Sequence, residues 1–102
     1  MKGDNVLRIS VEETNANVLR MKLEGRIAGP WAAELQRVWK ECQEQQDRKT
    51  FLVDMTAVTF IDHDGQGVLA DIVAAGAHFE VAGPLTSHIL RSLREEYNRT
   101  RT

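Results

Sequence analysis

Three consecutive residues, Asp62-His63-Asp64, set two carboxylates and an imidazole side by side. Such groups can move protons or hold a metal ion. Adjacent side chains at a turn diverge, however, and neither His78, His88 nor a second carboxylate cluster stands where it would complete a coordination shell. A nucleophile would have to be Ser87 or Cys42, and neither sits in a recognisable elbow or beside a histidine placed to act as its base. Cys42 is the single cysteine, which rules out an internal disulfide and a cysteine-based metal cluster. Its expected place is a buried, small apolar position. The chain is therefore expected to be no enzyme, with no catalytic residue, metal or cofactor. A small metal or acid-base site at Asp62-His63-Asp64 is the remote alternative.

What the trio does supply is charge at the start of a helix, and the hydrophobic spacing around it says which elements hold it there. Phe51–Met55 is a short apolar run expected to form a buried strand. Val58, Phe60 and Ile61 make a second apolar cluster in a loop from Thr56 to Asp64, after which a helical pattern begins. Asp64 is expected at the N-cap or in the first turn of this helix, accepting a backbone N–H in a bond worth about 1 kcal/mol, with the helix dipole adding to it. Val68, Leu69, Ile72 and Val73 form its buried edge, and Gly76 ends it.

Upstream, Leu7, Ile9 and Val11 alternate with polar residues, as do Leu19, Met21 and Leu23 after a turn near 14–17, which predicts a hairpin with one wet face. Gly29-Pro30 starts a helix, proline being well suited to the first helical position. Trp31, Leu35, Val38, Trp39 and Cys42 form its apolar stripe, opposite Glu34, Arg37, Lys40, Glu41 and Glu44. Both tryptophans lie on the face the helix must bury, so they read as core and not as a ligand platform. Downstream, Phe79 and Val81 mark a last strand. Gly83-Pro84 opens a third helix with Leu85, Ile89, Leu93 and Tyr97 at intervals of four and Leu90 widening the stripe. Residues 1–5 and 98–102 are expected to be flexible.

The fold class is α/β: a four-stranded, mostly parallel sheet with an N-terminal antiparallel hairpin and three main helices packed on one face. Right-handed crossovers advancing in one direction place every helix on the same side. Arg8, Ser10, Arg20, Lys22, His78 and Glu80 mark the side left uncovered. The loops Gly25–Gly29, Thr56–Asp64 and Gly83–Pro84 then gather at one pole, where α/β folds meet their ligands. That pole has no glycine-rich loop with a lysine, and Asp62 and Asp64 would repel a bound phosphate.

Bulk properties narrow the classes further. The 102 residues are 42% hydrophobic and 27% charged, a profile suited to one domain over 1–102 with one core. A net charge of −2 with interspersed signs gives no reason to expect nucleic acid or anionic membrane as partner. No apolar segment approaches the roughly 20 residues of a membrane span, so no membrane insertion is expected. Met1-Lys2-Gly3-Asp4-Asn5 is not followed by the apolar core of a signal peptide, which makes the cytoplasm the expected location.

The order of strand, Asp54, small loop, apolar pair and then Asp62-His63-Asp64-Gly65-Gln66-Gly67 at a helix start resembles the STAS domain, shared by bacterial anti-sigma factor antagonists and the cytoplasmic tails of sulfate transporters. The resemblance runs from the hairpin through the third helix. It implies that Asp62 matches the acidic residue opening the family's switch loop, that Gly65 and Gly67 match its two glycines, and that Asp64 stands where signalling members carry a phosphorylated serine or threonine. His63 replaces a residue that is usually small. The function implied is a non-catalytic protein-interaction module, an anti-anti-sigma factor in transcription signalling that binds an anti-sigma factor or serine kinase. The surface implied is Asp62, His63, Asp64, Gly65, Gln66, Gly67, Ala70 and Asp71, with the phosphorylation switch lost or mimicked by Asp64. The alternative is a STAS subunit on the ATPase of a phospholipid-transport ABC complex. A weak homodimer is compatible with either.

Overall fold

Alternation in the two N-terminal runs builds an antiparallel pair, β1 (Leu7–Asn15) and β2 (Val18–Ile27), in which Ile9 faces Leu23 and Val11 faces Met21. α1 (Pro30–Gln45), β3 (Thr50–Ile61), α2 (His63–Ala74), β4 (His78–Glu80) and α3 (Pro84–Thr100) follow. This computed structural model describes residues 6–45 and 50–100, so the ends 1–5 and 101–102, read above as flexible, lie outside the described residues. The sheet has the order β1-β2-β3-β4, with β2, β3 and β4 parallel. Each crossover moves one strand along in the same direction, so the helices share a face, as the sequence implies. Among the described residues no helix is long and apolar enough to cross a membrane.

One core joins the inner faces of β2 and β3 to the helices. Leu23, Ile27, Leu35, Val53, Met55, Leu69 and Ile72 are its fully buried side chains. The α1 stripe packs as its spacing predicts: Trp39 is buried and meets Phe51 edge-on at a ring-centroid distance of 4.9 Å, while Trp31 and Val38 pack at the margin. Cys42 is buried, and burial pushes its thiol above the usual range. α3 keeps Ile89, Leu90, Leu93 and Tyr97 of its expected stripe against the core and departs from it at Leu85. Leu85 is 55% exposed, and the buried positions are Thr86, Leu90 and Leu93. Thr86 earns its place by donating its hydroxyl to the carbonyl of Ala82 at 2.8 Å. The segment from Asn98, read as a frayed tail, continues α3 to Thr100, and Val81 lies just beyond the short β4.

The largest correction concerns β3, which runs unbroken to Ile61 where a loop was expected from Thr56. Its buried residues Met55, Val58 and Ile61 recur every third position, and that spacing breaks the two-residue period of a regular strand. Two irregularities against β2 reconcile them: the partners pass from Lys22–Asp54 to Glu24–Ala57, and from Gly25–Val58 to Arg26–Phe60. Each puts one extra residue on β3 and restores the inward face. Asp54 supports the first, its Oδ1 accepting the N–H of Thr56 at 2.9 Å and the hydroxyl of Thr56 at 2.7 Å. At the second, the Thr59 hydroxyl donates to the Gly25 carbonyl at 3.2 Å. Gly25 itself has φ +105, and a Cβ there would lie 2.4 Å from the Val6 carbonyl oxygen.

On the face without helices, Asp54 is buried although charged, and the Arg20 guanidinium reaches across from β2 to bridge it to Glu80, 3.2 Å away on β4. The bonds from Thr56 chiefly, and Arg20 after them, hold the Asp54 carboxyl down at about 2 against an ordinary 3.8. The folded pKa is the lower one. The carboxylate therefore contributes its full stability above pH 3.8 and loses it as the pH falls through about 2. Asp54→Asn is expected to lower unfolding free energy at neutral pH by up to about 2 kcal/mol and to flatten the acid limb of the stability curve. Urea melts from neutral pH down to the acid limit check this, and parallel curves for both proteins would refute it.

Candidate functional site

β3 delivers Asp62 to the pole in an extended conformation, φ −90 and ψ −174, where it caps α2. Its Oδ1 accepts the N–H of Gly65 at 2.7 Å and its Oδ2 accepts the N–H of Gly29 at 2.9 Å. Its own N–H donates to the Ile27 carbonyl at 3.1 Å. One residue thus ties the end of β2, the entry to α1 and the start of α2 together. The Gly29 amide first, and the Gly65 amide after it, hold its carboxyl below the usual carboxylate range.

Asp62 therefore takes the cap that the sequence left open to Asp64. The cap is the last extended residue before the helix, and α2 begins at His63. Asp64 lies in the first turn, exposed, and no side chain or amide among the described residues bonds to its carboxylate. Gly65 requires a second correction. It is buried, and a Cβ on it would lie 2.3 Å from the carbonyl oxygen of Ile27. This glycine serves the close seat of α2 on the end of β2.

The remaining named residues divide over the outer face of α2. Asp64, Gly67 and Asp71 line a hollow of about 440 Å³ against Ala32, Ala33 and Gln36 of α1. His63, Gln66, Gly67 and Ala70 line a smaller one of about 250 Å³ against Leu93 and Glu96 of α3. The trio that could have formed a metal or acid-base site is split, since Asp62 turns to backbone amides, Asp64 borders α1 and His63 borders α3. Among the described residues no three His, Cys, Asp or Glu side chains gather as a metal set. The α1 and α3 contributions carry no signal in the sequence, because packing between helices chooses them. The capping role of Asp62 did carry one: an aspartate directly before the helical pattern and three residues before Gly65.

The two aspartates are separable by stability. Asp62→Ala is expected to lower the thermal midpoint by several degrees, and Gly65→Ala to cost roughly 1–3 kcal/mol through overpacking, whereas Asp64→Ser leaves the midpoint nearly unchanged. Thermal and urea melts of the three variants test this. An Asp64→Ser loss equal to that of Asp62→Ala would return the cap to Asp64.

No family model matches the sequence, and no curated protein matches it. Solved structures do. An anti-sigma factor antagonist from Mycobacterium paratuberculosis superposes with a TM-score of 0.77 at 18% identity, over 96% of this chain and 86% of that one. The anti-sigma factor antagonist SpoIIAA in its unphosphorylated form gives 0.64 at 13% identity, over 92% and 98% of the two chains. A STAS-domain anti-sigma factor antagonist from Rhodobacter sphaeroides gives 0.58 at 12%, over 79% and 90%. The mixed sheet with its antiparallel hairpin and three helices on one face is thus the fold of these structures, and this chain has a STAS-like fold.

Proposed function

We propose that the chain is a non-catalytic protein-interaction module of the anti-sigma factor antagonist type, a single cytoplasmic domain over 1–102 that docks on an anti-sigma factor or serine kinase through the first turn and outer face of α2. The observation that carries this is the exposed Asp64 carboxylate, left without an internal partner because Asp62 does the capping. Position 64 can therefore hold a hydroxyl, a phosphoester or a carboxylate without disturbing the fold. A carboxylate there is a fixed negative charge beside the positive end of a helix. It imitates a phosphate only partly, bringing one charge and two acceptor oxygens in place of about −1.5 to −2 charges and three oxygens. The module is consequently not switched by phosphorylation at this position. The Thr56 hydroxyl is bonded to Asp54 and that of Thr59 to the Gly25 carbonyl, so phosphate on either would break a contact that supports β3.

Quantitative pull-down from the native host with the wild type and Asp64→Ser, read by mass spectrometry, tests the proposal. The expected outcome is that wild type retains little while Asp64→Ser captures a small ATP-binding kinase. Capture of the same ABC ATPase in equal amounts by both forms would make the protein a constitutive transport-complex subunit and end the signalling reading. Phosphate on Thr56 or Thr59 after incubation with the kinase would also end it.

A further inference from the structure

The two edges of the sheet are built differently. β4 is three residues long and is followed by Gly83-Pro84, the short kind of edge that offers another chain little to pair with. β1 is nine residues long and carries neither proline nor lysine. It keeps one register with β2 from Leu7 to Glu13, and the irregularity between Glu13 and Asn15 lies past that span. No described strand pairs with its outer side. The N–H of Arg26 donates to the Val6 carbonyl at 3.3 Å, which fixes the phase of the ladder. With Leu7 opposite Gly25, the residues that bond to β2 are Arg8, Ser10 and Glu12, and the N–H and C=O groups of Leu7, Ile9 and Val11 turn to the open edge. Val11 is 43% exposed although it stands opposite the buried Met21, on the face that carries the helices.

We infer that β1 is a self-pairing edge, through which two copies of this chain join antiparallel about a two-fold axis at Ser10 into one continuous sheet. Two conditions select that register. Opposed residues share a face of the sheet, and edge-facing N–H and C=O groups must meet their like, so Leu7, Ile9 and Val11 pair among odd-numbered positions and Arg8, Ser10 and Glu12 among even ones. An axis at Ser10 sets Arg8 against Glu12 of the second copy and Ile9 against Val11 of the second copy, each pair occurring twice. An axis at Val11 would set Arg8 against Thr14, and one at Ile9 would set it against Ser10, so the axis at Ser10 alone matches the cation of the strand to an anion. Arg20, which faces Glu12 from β2, is committed to Asp54 and Glu80. Main-chain bonds supply the affinity, as in other strand additions, and Val11 gains apolar cover. The axis is normal to the sheet, so both helix layers share one face and the two poles point away from each other. Both Asp64 positions stay open, and the pairing goes beyond the interaction-module reading without depending on it.

Sedimentation velocity of the whole protein over a concentration series tests this. The expected result is a reversible equilibrium between monomer and dimer that Asp64→Ser leaves in place. Val11→Pro removes an N–H that β2 does not use, and it is expected to abolish the dimer while circular dichroism shows a folded monomer. Arg8→Glu and Glu12→Arg are each expected to weaken dimerisation by at least about tenfold, and the double variant, or an equimolar mixture of the two single variants, to restore it. Under mild oxidation Ser10→Cys is expected to cross-link two copies, because residues opposed in this kind of pair have Cα atoms about 4.5 Å apart, whereas Arg8→Cys is not. A monomer at every concentration, a dimer lost in Asp64→Ser, charge swaps without rescue, or equal cross-linking through Arg8→Cys overturns the inference. The pull-down with Asp64→Ser is read separately, so partner capture and self-pairing stand or fall apart from each other.

Discussion

The carboxylate of Asp62 is the constraint on which the rest of the pole depends. Its two oxygens hold the amides of Gly29 and Gly65, and its N–H holds the Ile27 carbonyl. The first turn of a helix leaves donors without intrahelical partners, and the loop into α1 presents another. One side chain satisfies a donor from each, and so sets where both helices start relative to the sheet. Gly65 is the steric complement, since any side chain there would collide with the carbonyl that receives the Asp62 N–H.

That arrangement has a consequence for position 64. Where capping is done by the residue two positions earlier, the first turn can expose a side chain whose identity the fold does not dictate. A domain built this way can carry a serine, a phosphoserine or an aspartate at one spot on the same scaffold. The charge at the helix start then becomes a property of the surface, set by what must bind there.

Asp54 plays a parallel part on the opposite side of the sheet. Its bonds to Thr56 support the point where β3 takes on an extra residue, and Arg20 ties it to β2 and Glu80. Because of the two irregularities, Val58 and Ile61 face the core and Asp62 arrives at the cap position. A regular strand continuing the alternation of Val53 and Met55 would turn Ala57 and Thr59 inward and Val58 to the wrong face. A charged residue in a buried setting is thus part of how the strand reaches the functional pole.

Sequence by itself determined the class of fold, the order of elements and the inner faces of α1 and α2, because those depend on periods of two and 3.6 residues that any short window displays. It also placed the Asp62–Gly67 stretch at a helix start and Asp64 at its surface. Tertiary structure decided the rest. The path of β3 from Thr56 to Ile61 was illegible because its spacing of three belongs to no regular period until β2 supplies the partner residues. The separate duties of Gly65 and Gly67 were illegible for a related reason: both are glycines in one helix, and only the position of the Ile27 carbonyl tells them apart. The hollow beside Asp64 and Asp71 needed α1 laid against α2, since Ala32, Ala33 and Gln36 are some thirty residues away in the chain and meet α2 only by packing.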